Sequence, residues 1–578
     1  MAKKLLGIDV GTGGTRAVLV DQDGRVVDSA TADHAPMHSP QIGWAEQDPH
    51  DWWRAGCAAV KACLEKSQTG PAEIAAVGLT GQMHGLVLLD AAGEVLRPAI
   101  IWCDQRTGKQ CEQITQRIGA ERLIELTANP ALTNFTLPKI WWVQQHEPEI
   151  WSRARTILLP KDYFRFRLTG ARAIDVAEGS GTLFFDVSRR KWSNPMLEAS
   201  GIDESMLPTL LESPEVSGTI SKEGAAATGL PAGTPVVAGA GDQAAGAVGM
   251  GIVRPGAVSA TIGTSGVVFA ATSQPALDPR GRIHTFCHAT PERWHVMGVT
   301  QAAGLSLRWF RDEFGARAVA AGTHAHEDPY ERLTAEAAKT PPGADGLLWA
   351  PYLMGERTPH IDPYARGALV GITAQHHRGH VVRAILEGVA FSLRDSLEIF
   401  RELKIPAESI RLGGGGARSE LWRKIQADIY GMSVEIMEAE EGPAFGAALL
   451  AGVGAGVWTT VEDACDKSVR VARRVPPDAA TVHNMNLRYA VYRQLYPALR
   501  GIFHELQEAC SIISGRSSSK FQGARWPPTS FNQSPSINFL SAYGPWGIPD
   551  GTRSASRSGP FFLRCNWCNC WAKWAHGA

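Results

Sequence analysis

The phrase Ile8-Asp9-Val10-Gly11-Thr12-Gly13-Gly14 near the start of the chain is echoed by Thr261-Ile262-Gly263-Thr264-Ser265-Gly266 near its middle. Each copy lies between apolar, β-prone runs: Leu5 to Ile8 and Ala17 to Val20 around the first, Val258 to Ile262 and Val267 to Ala270 around the second. A Gly-Thr-Gly-Gly turn admits positive φ, turns N–H groups outward and carries no bulk that would hold an anion away. One copy alone is equally a plain hairpin turn. Two copies, in halves of similar size, predict a duplicated fold with paired phosphate-cradling turns facing each other across a cleft. Neither copy ends in Gly-Lys-Ser/Thr, and Arg16 stands where a dinucleotide-binding turn needs its third glycine. Neither standard single-loop nucleotide mode therefore applies.

At 578 residues the chain is too long for one core and suits two large domains. Lysine plus arginine (57) nearly balances aspartate plus glutamate (58), a formal charge of −1 that offers nothing to nucleic acid or a membrane surface. No apolar run approaches the roughly 18 residues of a spanning helix, and Asp9 interrupts the stretch after Lys3-Lys4 that imitates a signal peptide. Cysteines scattered singly up to Cys510 read as reduced thiols, so a cytoplasmic α/β enzyme is expected.

Along the first half, Leu5 to Asp9, Arg16 to Asp21 and Arg25 to Ala30 read as strands, Asp51 to Lys66 as a helix, and Ile74 to Thr80 as a buried strand running into Gly81-Gln82-Met83-His84-Gly85. Helical stretches follow at Gly108 to Leu126 and Lys139 to Gln145. Pro235 to Ala240 is a strand that enters Gly241-Asp242-Gln243 and a small-residue helix. Arg254-Pro255-Gly256 marks the domain junction. Beyond it, Trp294 to Thr300 reads as a strand, Gly304 to Phe314 and His380 to Phe400 as helices, and Ser409 to Leu412 as a strand ending in Gly413–Gly416 before a helix from Ser419 to Tyr430. Strand, glycine turn, helix is α/β architecture with ligands at strand ends. The boundaries expected are 1–253 and 254–505. From 506 to 578, after the helical pattern of Tyr489 to Leu506, Ser, Pro, Gly, Asn and Trp dominate. Cys565, Cys568 and Cys570 lack the ligand count of a zinc site, even with His576, and the segment reads as a non-native or unstructured extension.

Two acidic residues stand where chemistry is expected. Asp242, between strand and helix, either caps that helix or projects a carboxylate into the cleft, where it could accept a proton. Asp9, beside the first turn, either caps that turn or meets phosphate through a bridging divalent cation.

Several motifs resemble the FGGY carbohydrate kinases over roughly residues 4 to 500. They are Gly7 to Thr12, Gly81 to Gly85, Leu159-Pro160-Lys161-Asp162-Tyr163, Gly239 to Gly249, Gly355 to His360 and Gly413 to Ser419. One family fingerprint is complete at Gly367-x-Leu369-x-Gly371-Ile372 through His380-Val381-x-x-Ala384-Ile385-Leu386-Glu387; a second, Phe135 to Gln145, is met apart from Asn134. The resemblance implies two duplicated actin-like (ribonuclease H-like) ATPase domains flanking a catalytic cleft, and ATP with Mg²⁺ as phosphoryl donor to a small sugar. It places the catalytic base at Asp242, the metal at Asp9, and the nucleotide on Thr12, Gly13, Gly14, Thr264, Gly304, Gly415 and Ser419. It places the sugar on Met83 and His84, where the family's glycerol kinases carry Arg-Glu, with Trp102, Asp104, Gln243 and Asp242 reaching further hydroxyls. Trp102 and Asp104 read equally as a core ring and a loop acid. Another ketose or polyol kinase of the family, or a non-catalytic actin-like ATPase or sugar sensor, stays open. A homodimer is compatible with the resemblance.

Overall fold

In the computed structural model, which describes residues 3–315, 328–439 and 441–513, each copy of the repeated phrase joins the central hairpin of a seven-stranded mixed sheet. The first sheet contains β1 (Lys4–Val10), β2 (Gly14–Asp21), β3 (Val26–Asp33), β4 (Ile74–Gly81), β5 (Val216–Thr219), β6 (Pro235–Val237) and β7 (Ala240–Gly241). Its order is β5-β6-β4-β1-β2-β3, with β7 pairing the end of β4. The second contains β8 (Gly256–Ile262), β9 (Gly266–Thr272), β10 (His284–Cys287), β11 (Trp294–Thr300), β12 (Ala407–Gly414), β13 (Val434–Met437) and β14 (Val471–Val475), in the order β10-β11-β9-β8-β12-β13-β14.

The pairing senses match over six strands of each sheet. From β1 outward the neighbours are antiparallel β2 then β3 on one side, and parallel β4, parallel β6, then antiparallel β5 on the other. From β8 they are antiparallel β9 then β11, and parallel β12, parallel β13, then antiparallel β14. The duplication expected from the turns is thus a duplication of sheet topology. Apolar alternation sets the register: Leu6, Ile8, Ala17 and Leu19 are all buried in one core, and Val258, Ala260, Val268 and Ala270 in another.

The helices on these sheets are α1 (Pro49–Lys66), α2 (Pro160–Thr169), α3 (Val176–Gly179), α4 (Asp242–Gly249), α5 (Gly304–Phe314), α6 (Arg378–Glu402), α7 (Glu420–Tyr430) and α8 (Gly442–Gly454). Helix α8 lies late in the chain, yet it packs on β1 and β4 of the first sheet. Glycine makes that contact possible. A Cβ on Gly7 would stand 1.8 Å from the Ala444 carbonyl oxygen, and one on Gly78 1.9 Å from that of Ala447. Helices α4 and α8 meet equally closely, at Gly446 against the Ala245 carbonyl. Beside them Arg254 binds Asp466 at 2.8 Å through both Nη atoms.

Two expectations change. The helix read over Gly108 to Leu126 is two, Gly108–Ile118 and Ala120–Thr127, because Gly119 at φ 90° ends the first. The pattern over Tyr489 to Leu506 spans the ends of two helices, Ala479–Tyr492 and Leu495–Ile513. Glu505 to Ile513, the described end of the second of these helices, group apart from residues 1–504, and Cys565, Cys568 and Cys570 lie outside the described residues. No described helix is long and apolar enough to cross a membrane.

Candidate active site

The first turn is held from behind by side chains. Gly11 N–H donates to the Gly14 carbonyl at 3.1 Å. The Thr12 carbonyl accepts from Gln47 Nε2 at 2.7 Å, the Gly13 carbonyl from His34 N–H at 3.0 Å, and the Gly11 carbonyl from Gln82 Nε2 at 3.3 Å. Gln82 Nε2 also bonds Gln47 Oε1 at 2.9 Å. With the carbonyls engaged, the N–H groups of Thr12 and Gly13 have no partner among the described residues, and Gly13 is exposed with nothing within 4 Å of where a Cβ would stand. That is an anion-accepting arrangement.

The second turn is held by a helix instead. Gly263 N–H bonds the Ser265 carbonyl at 3.0 Å, while Gly304 N–H and Leu305 N–H, opening α5, donate to the carbonyls of Gly263 (2.9 Å) and Thr264 (3.1 Å). Gly304 is required there because its Cβ would lie 2.4 Å from the Gly263 oxygen. Strand β12 pairs Gly414 with Ile262, which sets Gly413–Gly416 alongside this turn. Gly414, at φ 72° and with its Cβ position 2.5 Å from the Ile262 carbonyl, admits no side chain, whereas Gly415 is exposed. Ser419 Oγ accepts from Trp422 N–H at 3.3 Å and so caps α7, with its own hydroxyl proton left to donate.

Asp242 opens α4 directly after β7. The cap position of α4 is Gly241, so the Asp242 carboxylate is not spent as the cap. Burial pushes its carboxyl up to about 6, against the lowering effect of the Gln243 amide beside it. Asp9, at the end of β1, is pushed up to about 7 by burial and by the charge of Asp242, with Arg16 opposing. Its Oδ1 is buried without a hydrogen-bond partner. Among the described residues no three His, Cys, Asp or Glu side chains gather into a metal cage. One orphaned carboxylate beside phosphate-accepting N–H groups suits Mg²⁺, which takes one or two carboxylates together with phosphate oxygens and water.

His84 adopts φ 69°, a left-handed conformation uncommon outside glycine. Its Nδ1 lies 2.8 Å from the Gly181 carbonyl, its own carbonyl accepts from Thr136 Oγ1 at 3.2 Å, and its ring meets Phe135 edge-on at 5.1 Å. Burial and the nearby Lys139 charge hold its pKa well below the usual imidazole range, so the ring is neutral. A neutral ring that donates from Nδ1 to a carbonyl leaves Nε2 an acceptor. Met83, also buried, packs against Gly241: a Cβ there would fall 2.7 Å from Met83 Cγ. Half-exposed Trp102 donates from Nε1 to Thr12 Oγ1 at 2.9 Å, so this ring is tied to the first glycine turn.

Asp104 departs from its expected place. It is fully buried, accepts from Ala45 N–H at 2.6 Å, and is bound by the Arg106 guanidinium at 2.7 and 2.9 Å. Arg106 in turn stacks over Trp44 at 3.7 Å and Trp142 at 4.8 Å. Asp104 is therefore brought together with this stack and not with the half-exposed ring of Trp102. Gln47 and Gln82 join the site without having been expected there. Gln82 lies in the Gly81–Gly85 loop, which could have marked it, whereas nothing local marks Gln47.

Family models for the FGGY carbohydrate kinases match residues 4–249 (N-terminal domain) and 258–455 (C-terminal domain). The chain is 39% identical over 494 residues to a xylulose kinase of Bacillus subtilis (strain 168), covering 86% of this chain and 97% of the relative. It is also 39% identical over 502 residues to a xylulose kinase of Escherichia coli (strain K12), covering 87% and 99%. The crystal structure of a xylulose kinase from Rhodospirillum rubrum superposes with a TM-score of 0.80 at 31% identity, over 87% of this chain and 100% of that one. With duplicated sheets, two glycine turns and a strand-end carboxylate in place, the chain belongs to the FGGY family of carbohydrate kinases.

Proposed function

We propose that this protein transfers the terminal phosphoryl group of ATP to D-xylulose, giving D-xylulose 5-phosphate, as a cytoplasmic enzyme. Asp242 carries the reading: an ionisable carboxyl at a strand end, not used as a helix cap, beside Asp9 and the first glycine turn. In its ionised form Asp242 accepts the proton of the sugar hydroxyl as that oxygen attacks the phosphorus and the bond to ADP breaks. Gln243 steadies the carboxylate. His84 Nε2 accepts a hydrogen bond from a second sugar hydroxyl, and Met83 and Trp102 line the same pocket.

Residues 1–253 hold the sugar and one phosphate turn, and residues 254–505 the nucleotide. Thr12, Gly13 and Gly14 present N–H groups to the phosphates from one side and Thr264 from the other. Gly304 shapes the second turn, and Gly415 and Ser419 lie where the adenosine comes close. Asp9 would hold Mg²⁺, which supplies charge neutralisation on the phosphates. Phosphoryl transfer asks little covalent chemistry of the protein beyond this positioning.

A coupled ADP-release assay over a panel of pentuloses, gluconate and polyols tests the reading. Turnover is expected to be highest with D-xylulose. A higher kcat/KM for another acceptor would reassign the substrate, and no sugar-stimulated ADP release would remove the kinase reading.

A further inference from the structure

Behind Asp242 lies a group of buried ionisable side chains that the mechanism above does not use. Lys161 Nζ donates to Asp162 Oδ1 at 2.5 Å and forms an ion pair with Asp175, 2.8 Å from its Oδ2, and Arg165 Nη1 donates to Asp162 Oδ1 at 2.7 Å. All four side chains have no exposed surface. Two cations thus face two carboxylates, and the charge is balanced. Glu178 is the fifth member and has no cation of its own. It is 0% exposed, and neither Oε1 nor Oε2 has a hydrogen-bond partner among the described residues.

Its position is fixed by its neighbours. Asp175 Oδ1 accepts from Glu178 N–H at 2.9 Å, so the same carboxylate that pairs with Lys161 caps the short helix α3. Glu178 Oε2 packs on the backbone of Gly241, only 2.8 Å from where a Cβ would be, next to Met83. Gly241 is the residue before Asp242. Three residues beyond Glu178, the Gly181 carbonyl takes the His84 Nδ1 bond. One segment, Asp175 to Gly181, therefore touches both sides of the sugar site.

A carboxyl that is fully buried, unpaired and unbonded is costly, and such groups in folded proteins call for an explanation. An ionised Glu178 would be an uncompensated charge beside Asp242. The un-ionised acid is the form that fits, and it carries an O–H donor with nothing yet to donate to. Outside its own network, the charge that bears on Glu178 is that of Asp242.

We propose that Glu178 is a positioning residue for Asp242: its O–H, poised against Gly241, donates a hydrogen bond that orients the Asp242 carboxylate once sugar occupies the site. This rests on Asp242 being the base. The bond is absent in the sugar-free protein, so the donor's cost is borne by the free state and released on substrate binding, in the manner of strain stored at functional sites.

Three variants test it, each assayed for kcat, both KM values and thermal midpoint. Glu178→Gln keeps a donor of the same shape and retains kcat within about threefold of the parent enzyme. Glu178→Met keeps length and burial but cannot donate; it folds with an unchanged or higher midpoint, since an unsatisfied polar group has been removed, while kcat falls roughly tenfold or more and KM for ATP stays within about twofold. Asp242→Asn is measured beside them. If Glu178→Met matches Glu178→Gln in kcat, or fails to fold, Glu178 is only part of the packing and the proposal is overturned. If Asp242→Asn itself retains turnover, the reading of the base has failed instead.

Discussion

Asp9 and Asp242, the last residue but one of β1 and the first of α4, bring two carboxyl groups into one desolvated site, and the charge of Asp242 is felt at Asp9. Both are held above the usual carboxylate range, Asp9 to about 7 and Asp242 to about 6. Like charges in a low-dielectric site disfavour each other until a cation or a proton intervenes.

That relationship sets a pH dependence of stability. Because the Asp9 pKa is raised on folding, from 3.8 to about 7, the stability gained by keeping its proton is complete below the unfolded value and is lost as pH rises through about 7. In metal-free buffer, Asp9→Asn removes that loss. Chemical denaturation should find the variant and the parent similar near pH 4, and the variant more stable by on the order of 2 kcal/mol near pH 8. A gap that does not grow with pH would mean that Asp9 is not desolvated as described.

Asp242 sets a pH dependence of rate. If its ionised form accepts the sugar proton, kcat/KM for the ketose should fall on the acid side of about pH 6, by close to tenfold per unit. A flat profile down to pH 5, with the fold intact by circular dichroism, would contradict this assignment.

His84→Ala should raise KM for the ketose while leaving KM for ATP nearly unchanged, because Nε2 is an acceptor on the sugar side and Nδ1 is already committed to Gly181. Losing one such bond costs on the order of 1–2 kcal/mol, or roughly five- to thirtyfold in KM. Equal damage to both substrates in steady-state kinetics would instead assign the ring to packing against Phe135.

Two glycines should separate packing from binding. Gly7→Ala places a methyl 1.8 Å from the Ala444 carbonyl and must push α8 off the first sheet, costing on the order of 2–4 kcal/mol in denaturant unfolding. Gly13→Ala meets nothing within 4 Å and should leave stability within about 0.5 kcal/mol. Its methyl nevertheless occupies the space above the free N–H groups, so KM for ATP should rise. A destabilised Gly13→Ala would overturn the placement of the first turn, and an unperturbed Gly7→Ala the packing of α8 on β1.

Much of this architecture is legible locally, and the reason is chemical. Glycine turns between β-prone runs specify hairpins wherever they occur, so the two repeated turns, β7 running into Asp242, and Gly413–Gly416 could all be read from residues 5–20, 235–250, 258–270 and 409–419. What depends on partners far along the chain could not. Helix α8 has no local mark that sends it to the first sheet; that follows only from the glycines at 7 and 78 that admit it. Gln47 reaches the Thr12 carbonyl and Glu178 reaches Gly241 through tertiary packing alone. Asp104 looks like a loop acid beside a ring until Arg106, lying over the rings of Trp44 and Trp142, claims it.

The segment after about Glu508 is predicted to be dispensable. The xylulose kinases reported above are covered over 97% and 99% of their own length by only 86% and 87% of this chain, and the family models end at residue 455. Truncation there should leave ketose-dependent ADP release within about twofold of the full chain, because the length shared with those kinases is kept. A large loss of activity would show that the segment is needed by the kinase body.

If Asp242 takes the proton in transfer of phosphate from ATP to xylulose, removing its charge must stop the chemical step without touching nucleotide binding. Single-turnover phosphoryl transfer by Asp242→Asn, with ATP affinity determined on the same sample, separates the two. The transfer rate is expected to drop by on the order of a thousandfold or more while ATP binding changes less than about threefold. Transfer at the parent rate, with ATP bound equally well, would contradict it.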